Sequence, residues 1–585
     1  VTRRRLLIAG GTLAVLGALL LADLYSRGVV WRVIYNITGE EAPPAQMIAL
    51  PQWAGRWFRQ QPQTALYTPV NHAGVNPFGI NVFLEQEPEI AKREQIVQMA
   101  SEAGFVWLRQ EFPWEDIEIH GRGDFIDRRN DMNGDGAITE ADHISAWDKY
   151  DNIVDITAQY AMRLQVRLSN PPAWTHADPA IGSFAPPDDI NDYVTFATMV
   201  AERYQGRIYH YQVWNEPNIY PEWGEQFVDA AAYTDMLCRT YAALKAVDPE
   251  IVVISGALAP TNAMDGRNLN DYFFLQQMLD AGAGDCFDVL AMQGYGLNSG
   301  PTDRRMRPTT VNFARPLYIR DMLVQNGHAD KPIWISEAAW NPVPEPDEVP
   351  EIDARYNFGQ VTEDQAARYM VGAYQRQQAE WPFTGVMFYW FFKRATDLET
   401  HQSFYYFRMV EPDFTPLPVY DALRDYTASL TPTLYKGVHQ ADHWALNLPD
   451  GADVVEVDGA QFNEAVQTGG VSFVANGTAL AVRWQGGGAI TLYRNGEAVG
   501  TFASDNEAMY TQGDWHEVRV PLSWIAAPHE VRLEAADDTL LLDAVTVYGD
   551  RVRDMAIIAG AGLLVMALLV GGVRAALTIE RSTDG

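Results

Sequence analysis

Two glutamates carry the strongest chemical signal in this chain. Glu216 lies in Trp214-Asn215-Glu216-Pro217-Asn218, at the end of the apolar run 208–214. Glu337 lies in Ser336-Glu337-Ala338-Ala339-Trp340, at the end of the run 333–336. Two carboxyl groups sharing one hollow can cleave a glycosidic bond. The protonated one gives its proton to the departing oxygen, and the ionised one meets the positive charge developing on the sugar carbon. A glutamate after a strand is otherwise a solvated loop residue or a helix N-terminal charge. The chemistry therefore depends on elements that bring together two side chains 121 positions apart.

Those elements are visible as eight short runs rich in β-branched and aromatic residues: 79–83, 106–109, 164–168, 208–214, 251–254, 289–292, 333–336 and 386–390. Helical patterns separate them, for example at 89–102, 150–161, 192–204, 230–246 and 362–380. Strand alternating with helix implies parallel pairing through right-handed crossovers. Eight such units over roughly 350 residues predict an α/β fold, a (β/α)8 TIM barrel with insertions. An open doubly wound sheet is the competing architecture, but no Gly-rich phosphate loop follows the first run. In such a barrel the site forms at the C-terminal ends of the strands. Glu216 then ends strand four and Glu337 strand seven, roughly opposite each other across the mouth. Alternating strands with turn residues such as Asn495-Gly496 follow from about 437 to 549, which predicts an antiparallel β-sandwich. The expected division is an N-terminal anchor or signal (1–25), a membrane-proximal segment (26–69), the barrel (70–430, with an insertion at 127–145), the sandwich (431–550), a C-terminal transmembrane helix (551–576) and a cytoplasmic tail (577–585).

With those placements, Trp214-Asn215-Glu216-Pro217-Asn218 resembles the acid/base signature of clan A glycoside hydrolases. Trp334-Ile335-Ser336-Glu337 is similar to the clan's nucleophile strand. The likeness covers about residues 78–426, and family 39 and family 5 members look most similar. It implies Glu216 as general acid/base and Glu337 as nucleophile of a retaining enzyme, with the carboxyls about 5–5.5 Å apart. It further implies that Asn215 contacts the sugar 2-hydroxyl, that Arg109 keeps the nucleophile ionised, that Tyr295 hydrogen-bonds it, and that Trp390 forms the floor under the sugar. The chain departs from the pattern after strand six, where family members often carry His-x-Tyr and this chain has Gln293-Gly294-Tyr295. Arg109 could equally be a structural ion pair, Trp390 core and Tyr295 a loop aromatic. Trp174 and Trp340 are open between stacking on sugar rings and packing.

Residues 131–142 follow the calcium-loop template: Asp131, Asn133 and Asp135 at positions 1, 3 and 5, Gly136 at 6, the Ala137 carbonyl at 7 and Asp142 at 12. The predicted cofactor is a structural Ca2+ that stiffens a long insertion after strand two. The alternative is an acidic loop in which Thr139 caps the next helix, with Asp142 in its first turn. Eleven His without zinc spacing predict no catalytic metal.

Composition sets the surroundings. With 43 Lys and Arg against 76 Asp and Glu, the net charge is −33, which excludes a broad nucleic-acid surface. Two Cys, Cys238 and Cys286, exclude a disulfide framework or a Cys-rich zinc site. They read as two buried free thiols, with one bridge between them as the alternative. The runs 6–22 and 555–573 hold 17 and 19 uncharged positions, near the ~20 residues that a bilayer crossing needs. Arg3, Arg4 and Arg5 precede the first run, and Arg574 and Arg581 follow the second. The expectation is therefore two transmembrane segments with everything between them outside. A cleaved signal, similar to a twin-arginine export signal, is the alternative for the first run, and a buried core helix for the second.

The expected protein is a membrane-tethered, outward-facing retaining glycosidase acting on an oligo- or polysaccharide, with burial holding Glu216 protonated near neutral pH. The sandwich is expected to space or pack the barrel, and sugar binding is its other reading. The rivals are a transglycosylase on the same site, a non-catalytic carbohydrate-binding surface protein, and a cell-envelope scaffold.

Overall fold

The computed structural model describes residues 2–131, 134–503, 509–512, 514–537 and 539–549. Eight parallel strands build its centre: β1 Phe78–Val82, β2 Trp107–Pro113, β3 Arg163–Ser169, β4 His210–Val213, β5 Val252–Ile254, β6 Leu290–Gln293, β7 Ile333–Ala338 and β8 Thr384–Tyr389. β1 lies between β2 and β8, and pairing continues from β2 through β3 and β4 to β5, and from β8 through β7 to β6. The ring closes between β5 and β6, where Ile254 bridges Val289 and Leu258 bridges Met292. This is the expected barrel, and the open-sheet alternative falls away.

One helix follows each strand: α4 Ile90–Glu102, α5 Trp147–Gln159, α6 Ile190–Arg203, α7 Ala230–Val247, α8 Asp271–Asp280, α9 Pro316–Gln325, α10 Glu363–Glu380 and α11 Pro418–Ser429. Their starts follow local chemistry. Asp189, Asp229 and Asn270 accept backbone N–H bonds at the heads of α6, α7 and α8, and Thr362 with Gln365 forms a capping box on α10.

The barrel interior is layered. Its floor is apolar: Trp107 of β2 meets Trp334 of β7 edge to face, with ring centroids 5.1 Å apart, above Val386 and Phe388 of β8. The layer nearer the mouth is polar, with buried Asn81, Arg109, Gln165, Gln212, Gln293 and Glu337. The two-residue alternation of a strand links the layers, as from Trp107 to Arg109 and from Ala291 to Gln293. A register shift opposite Met292/Gln293 pairs Gln293 with Glu337. The irregularity breaks the alternation from Trp334 and turns residue 337, in place of 336, toward the mouth.

The sandwich has a five-stranded and a seven-stranded sheet. Both are antiparallel apart from the short strand Thr433–Leu434. Asn495 and Gly496 both take positive φ between strands Ile490–Arg494 and Glu497–Phe502, as an Asn-Gly hairpin turn requires. The sandwich docks at the end of the barrel where the strands begin. There Trp444 meets Phe78 edge-on, and its N–H donates to the Gly74 carbonyl at 2.8 Å.

Before the barrel come α1 Thr2–Tyr25, α2 Val29–Thr38 and α3 Pro43–Ala54, then a 3-10 turn, Gly55–Phe58. The first apolar run lies in α1. Among the described residues no helix is long and apolar enough to cross a membrane, so the expected N-terminal span is corrected. The second run lies outside the described residues.

The reading of two free thiols is also corrected: Cys238 of α7 and Cys286, just before β6, form a disulfide with Cα atoms 4.7 Å apart. α7 packs against the short turn Ala283–Asp285 after α8, which brings them together across 48 positions. In the chain-entropy account, closing a loop of that length stabilises the fold by about 4 kcal/mol. Cys238→Ser is expected to lower the apparent Tm of the oxidised protein, and reductant should lower the wild type to the same value. A thermal scan with and without reductant checks both.

Candidate active site

The motif after β4 folds through two structural staples. The Trp214 indole is buried and donates to the Glu222 carbonyl at 2.8 Å. The Asn218 amide donates to the carbonyls of Ala259 and Leu269, and its oxygen accepts from the Ala259 N–H. Between them the chain takes left-handed conformations, with φ 72° at Trp214 and 41° at Glu216. Such strain costs on the order of 1–3 kcal/mol per residue. Backbone bonds hold it in place: Trp214 N–H to the Leu168 carbonyl and Glu216 N–H to the Ala257 carbonyl, each at 3.0 Å. This leaves Asn215 and Glu216 at the mouth.

Arg109 organises the rest. Its Nη1 donates to Glu337 Oε1 at 3.0 Å and to Asn81 Oδ1 at 2.7 Å, its Nη2 to Asn215 Oδ1 at 2.9 Å, and its Nε to Gln212 Oε1 at 2.8 Å. One planar guanidinium thus joins the end of β7 to the residue preceding Glu216. Asn81 is fixed in turn by donating to the Ser336 and Tyr389 carbonyls. The other Glu337 oxygen accepts from the Tyr295 hydroxyl at 2.6 Å. Both oxygens of this buried carboxyl are held by a charge-assisted or hydroxyl donor, which fixes its orientation.

The two carboxyls stand in different environments. Burial pushes the Glu216 carboxyl well above its ordinary pKa, and the charges of Glu337 and Glu222 add to the rise, against Gln293 and Arg109. Burial and the neighbouring Glu337 likewise keep the Tyr295 hydroxyl protonated as a donor. Burial lowers the Arg109 pKa, partly offset by Glu337. A guanidinium starts so high that it stays charged. A carboxyl raised in this way is suited to give up a proton as an acid.

The structure brings together Glu216, Glu337, Arg109, Asn215 and Tyr295. Trp390 follows β8 at the mouth, half-buried, with its N–H on the Ala338 carbonyl and its ring edge-on to Phe83. Trp340 is not a sugar platform: it is buried, and its indole donates to the Ser299 carbonyl at 2.7 Å. Trp174 is half-buried against Trp114, with its indole on the Glu118 carbonyl.

Sequence reasoning missed Asn81, Gln212 and Gln293, the amides of the polar layer. It also missed a second charged group at the mouth. Burial raises the Glu222 carboxyl to about 7, with the Glu111 and Glu337 charges adding to the rise and Arg167 and Asn215 opposing it. Burial would raise Glu111 too, but its ion pair with Arg167 and the Ser169 hydroxyl hold it below the usual range. The available signal was polar residues at two-residue spacing inside apolar strands, as in Arg109-x-Glu111 and Gln165-x-Arg167-x-Ser169.

The calcium-template residues are not placed as a site. Asp131 accepts from the Gly134 and Gly136 N–H groups, and Asp135 from that of Ala137. Asp142 accepts from the Thr139 N–H and hydroxyl in a capping box. Asn133 lies outside the described residues. Among the described residues no three His, Cys, Asp or Glu side chains are gathered so as to hold a metal.

No family model and no curated protein matches this chain. Solved structures similar to it include a family 39 glycoside hydrolase from the gut symbiont Bacteroides cellulosilyticus WH2. That pair has 16% identity and a TM-score of 0.43, over 80% of this chain and 83% of that one. A GH39 β-xylosidase from Caulobacter crescentus has 14% identity and a TM-score of 0.42, over 81% and 97% of the two chains. The GH39 enzyme from Xanthomonas axonopodis pv. citri has 15% identity and a TM-score of 0.42, over 84% and 99%.

Proposed function

We propose that this chain is a retaining glycoside hydrolase. The observation that carries the reading is Arg109, whose guanidinium joins Glu337 to Asn215 while Tyr295 holds the other Glu337 oxygen. A carboxylate so fixed, in a layer shared with a carboxyl that keeps its proton, is suited to double displacement. Glu337 attacks the anomeric carbon while Glu216 gives its proton to the leaving oxygen. Glu216, now ionised, then takes a proton from the water that releases the sugar from Glu337. Asn215 would meet the sugar 2-hydroxyl, and Trp390 would lie under the ring. A panel of aryl glycosides tests the reading. At least one should be turned over, with the first-formed sugar keeping its anomeric configuration by NMR; an inverted product or no turnover on any of them sinks it.

We also infer that the barrel works on the outer face of a membrane. Arg574 and Arg581, which follow the second apolar run, support this orientation, and the Cys238–Cys286 bridge suits an oxidising compartment.

The loop 131–142 we assign to Ca2+. Gly134 and Gly136, at φ 75° and 89°, give it the bends that such a loop needs. A strand pair, Ile126–Asp127 with Ile144–Ser145, closes its base. Asp131, Asn133, Asp135, the Ala137 carbonyl and Asp142 would be the ligands, and the ion would only stiffen the insertion. Chelator is expected to lower the Tm and added Ca2+ to restore it, both effects vanishing in Asp131→Ala. An unchanged Tm would return the loop to the capping role of Thr139.

A further inference from the structure

The helices ahead of the barrel are apolar on two faces. On one side Leu24, Trp31 and Ile34 form a small core of their own with Leu50 packed on it. On the other, Val29 and Val33 of α2, Met47 and Ile48 of α3, and Trp57 and Phe58 of the following turn are all exposed, Phe58 at 92%. Val29 and Val33 are one helical turn apart and share a face. An apolar helix face belongs against a protein core or lipid, and none of the described residues covers this one.

Charge says which. α3 has no charged residue, and α2 has one, Arg32. Residues 1–60 hold seven Arg against three acids, in a chain of net charge −33. The three acids are engaged elsewhere: Asp23 accepts from the Trp31 N–H, Glu40 pairs with Arg305, and Glu41 pairs with Arg27 and Arg368. The outward side thus combines exposed aliphatics, an exposed Trp and the exposed Arg32, while the three acids are held by other partners. That is the chemistry of an in-plane interfacial element on anionic lipid. It is also continuous with exposed Leu19, Leu20 and Leu21 at the end of α1.

We propose that the outward face of α2, α3 and the Trp57–Phe58 turn rests in the headgroup layer of an anionic lipid bilayer. The unit is bolted to the barrel by the segment after β6. Gly300 N–H donates to the Gly39 carbonyl, the Thr302 hydroxyl to the Tyr35 carbonyl, and Arg59 to the Met306 carbonyl. That segment leaves the barrel on the same side as Tyr295, so a face resting on lipid would bring the mouth near the membrane surface. The proposal deepens the membrane-facing reading above and needs nothing from the hydrolase reading.

The test uses the full chain. The native cysteines are bonded to each other, so a thiol introduced as Val33→Cys, Ile48→Cys or Phe58→Cys takes an environment-sensitive dye alone. Val454→Cys, exposed on the sandwich, is the control. The probe is vesicles of phosphatidylcholine with phosphatidylglycerol, with and without nitroxide lipid. The three labels are expected to shift to the blue on vesicle binding and to lose fluorescence to the nitroxide, while the label at 454 does neither. Vesicle binding with all three labels still in water would leave the membrane tether standing and overturn this proposal. Burial of the labels without quenching would give the face to a second copy of the chain and overturn it as well.

Discussion

Glu337→Gln loses at least about 10⁴-fold in kcat/KM on any glycoside that the wild type cleaves. Without the carboxylate the hard step can no longer be split in two, and enzymes owe about 10⁶-fold or more to their machinery as a whole. Arg109 and Tyr295 now donate to the two different Glu337 oxygens at 3.0 and 2.6 Å; the amide keeps one oxygen for Arg109, and its NH2 can donate to the Tyr295 hydroxyl. The fold should therefore survive, with a cost of about 1–3 kcal/mol for the lost charge-assisted bonds. The expected pattern is a dead enzyme with a cooperative thermal transition only a few degrees lower. A variant that retains more than a tenth of the activity would refute Glu337 as nucleophile.

Glu216→Ala should show a split that no structural role reproduces. On substrates with poor leaving groups the rate falls about 10²–10⁴-fold, the usual worth of a general acid. On aryl glycosides with good leaving groups the first step proceeds without a proton, and the covalent sugar accumulates because no base activates water. Azide needs no base, so it should restore turnover and leave a glycosyl azide of retained configuration. Absence of rescue at saturating azide would count against Glu216 as acid/base. Its titration gives a second readout. Burial and the Glu337 charge raise its pKa in the folded state, so the folded protein binds this proton more tightly than the unfolded chain does. The stabilisation is complete below the unfolded carboxyl pKa of about 4.3 and is lost as pH rises through the folded value. Glu216→Gln cannot ionise, so its Tm relative to wild type should climb with pH.

Much of the barrel was legible because buried parallel strands are written as short continuous apolar runs. The helices between them carry a different period, and α4 and α10 lie where that period predicts. The candidate pair was legible because each glutamate closes such a run. Arg109 and Tyr295 came with the resemblance, and Tyr295 keeps its bond to Glu337 although Gln293 stands where a His is usual. What stayed hidden has physical causes. Lone amides such as Asn81 and Gln212 look like weak points in a strand until the guanidinium that they hold is in place. The register shift that turns Glu337 inward is a property of the pairing between strands and leaves no mark on β7 alone. The bridge between Cys238 and Cys286 depends on helix packing, about which a spacing of 48 says nothing. In α2 one broad apolar arc leaves Arg32 and Asn36 on the remaining side, and α3 has no charged residue to mark a polar face, so neither shows from its sequence which part of its apolar surface is buried.

The tryptophan floor has a consequence for proton traffic. Trp107 and Trp334 lie on β2 and β7 beneath the layer of Arg109 and Glu337, in an apolar cluster that offers a water chain no polar partner among its described side chains except the indole N–H groups. If the proposed reaction runs there, the Glu216 proton would exchange with solvent by way of the mouth, and a seated sugar would shield it until the departing oxygen took it.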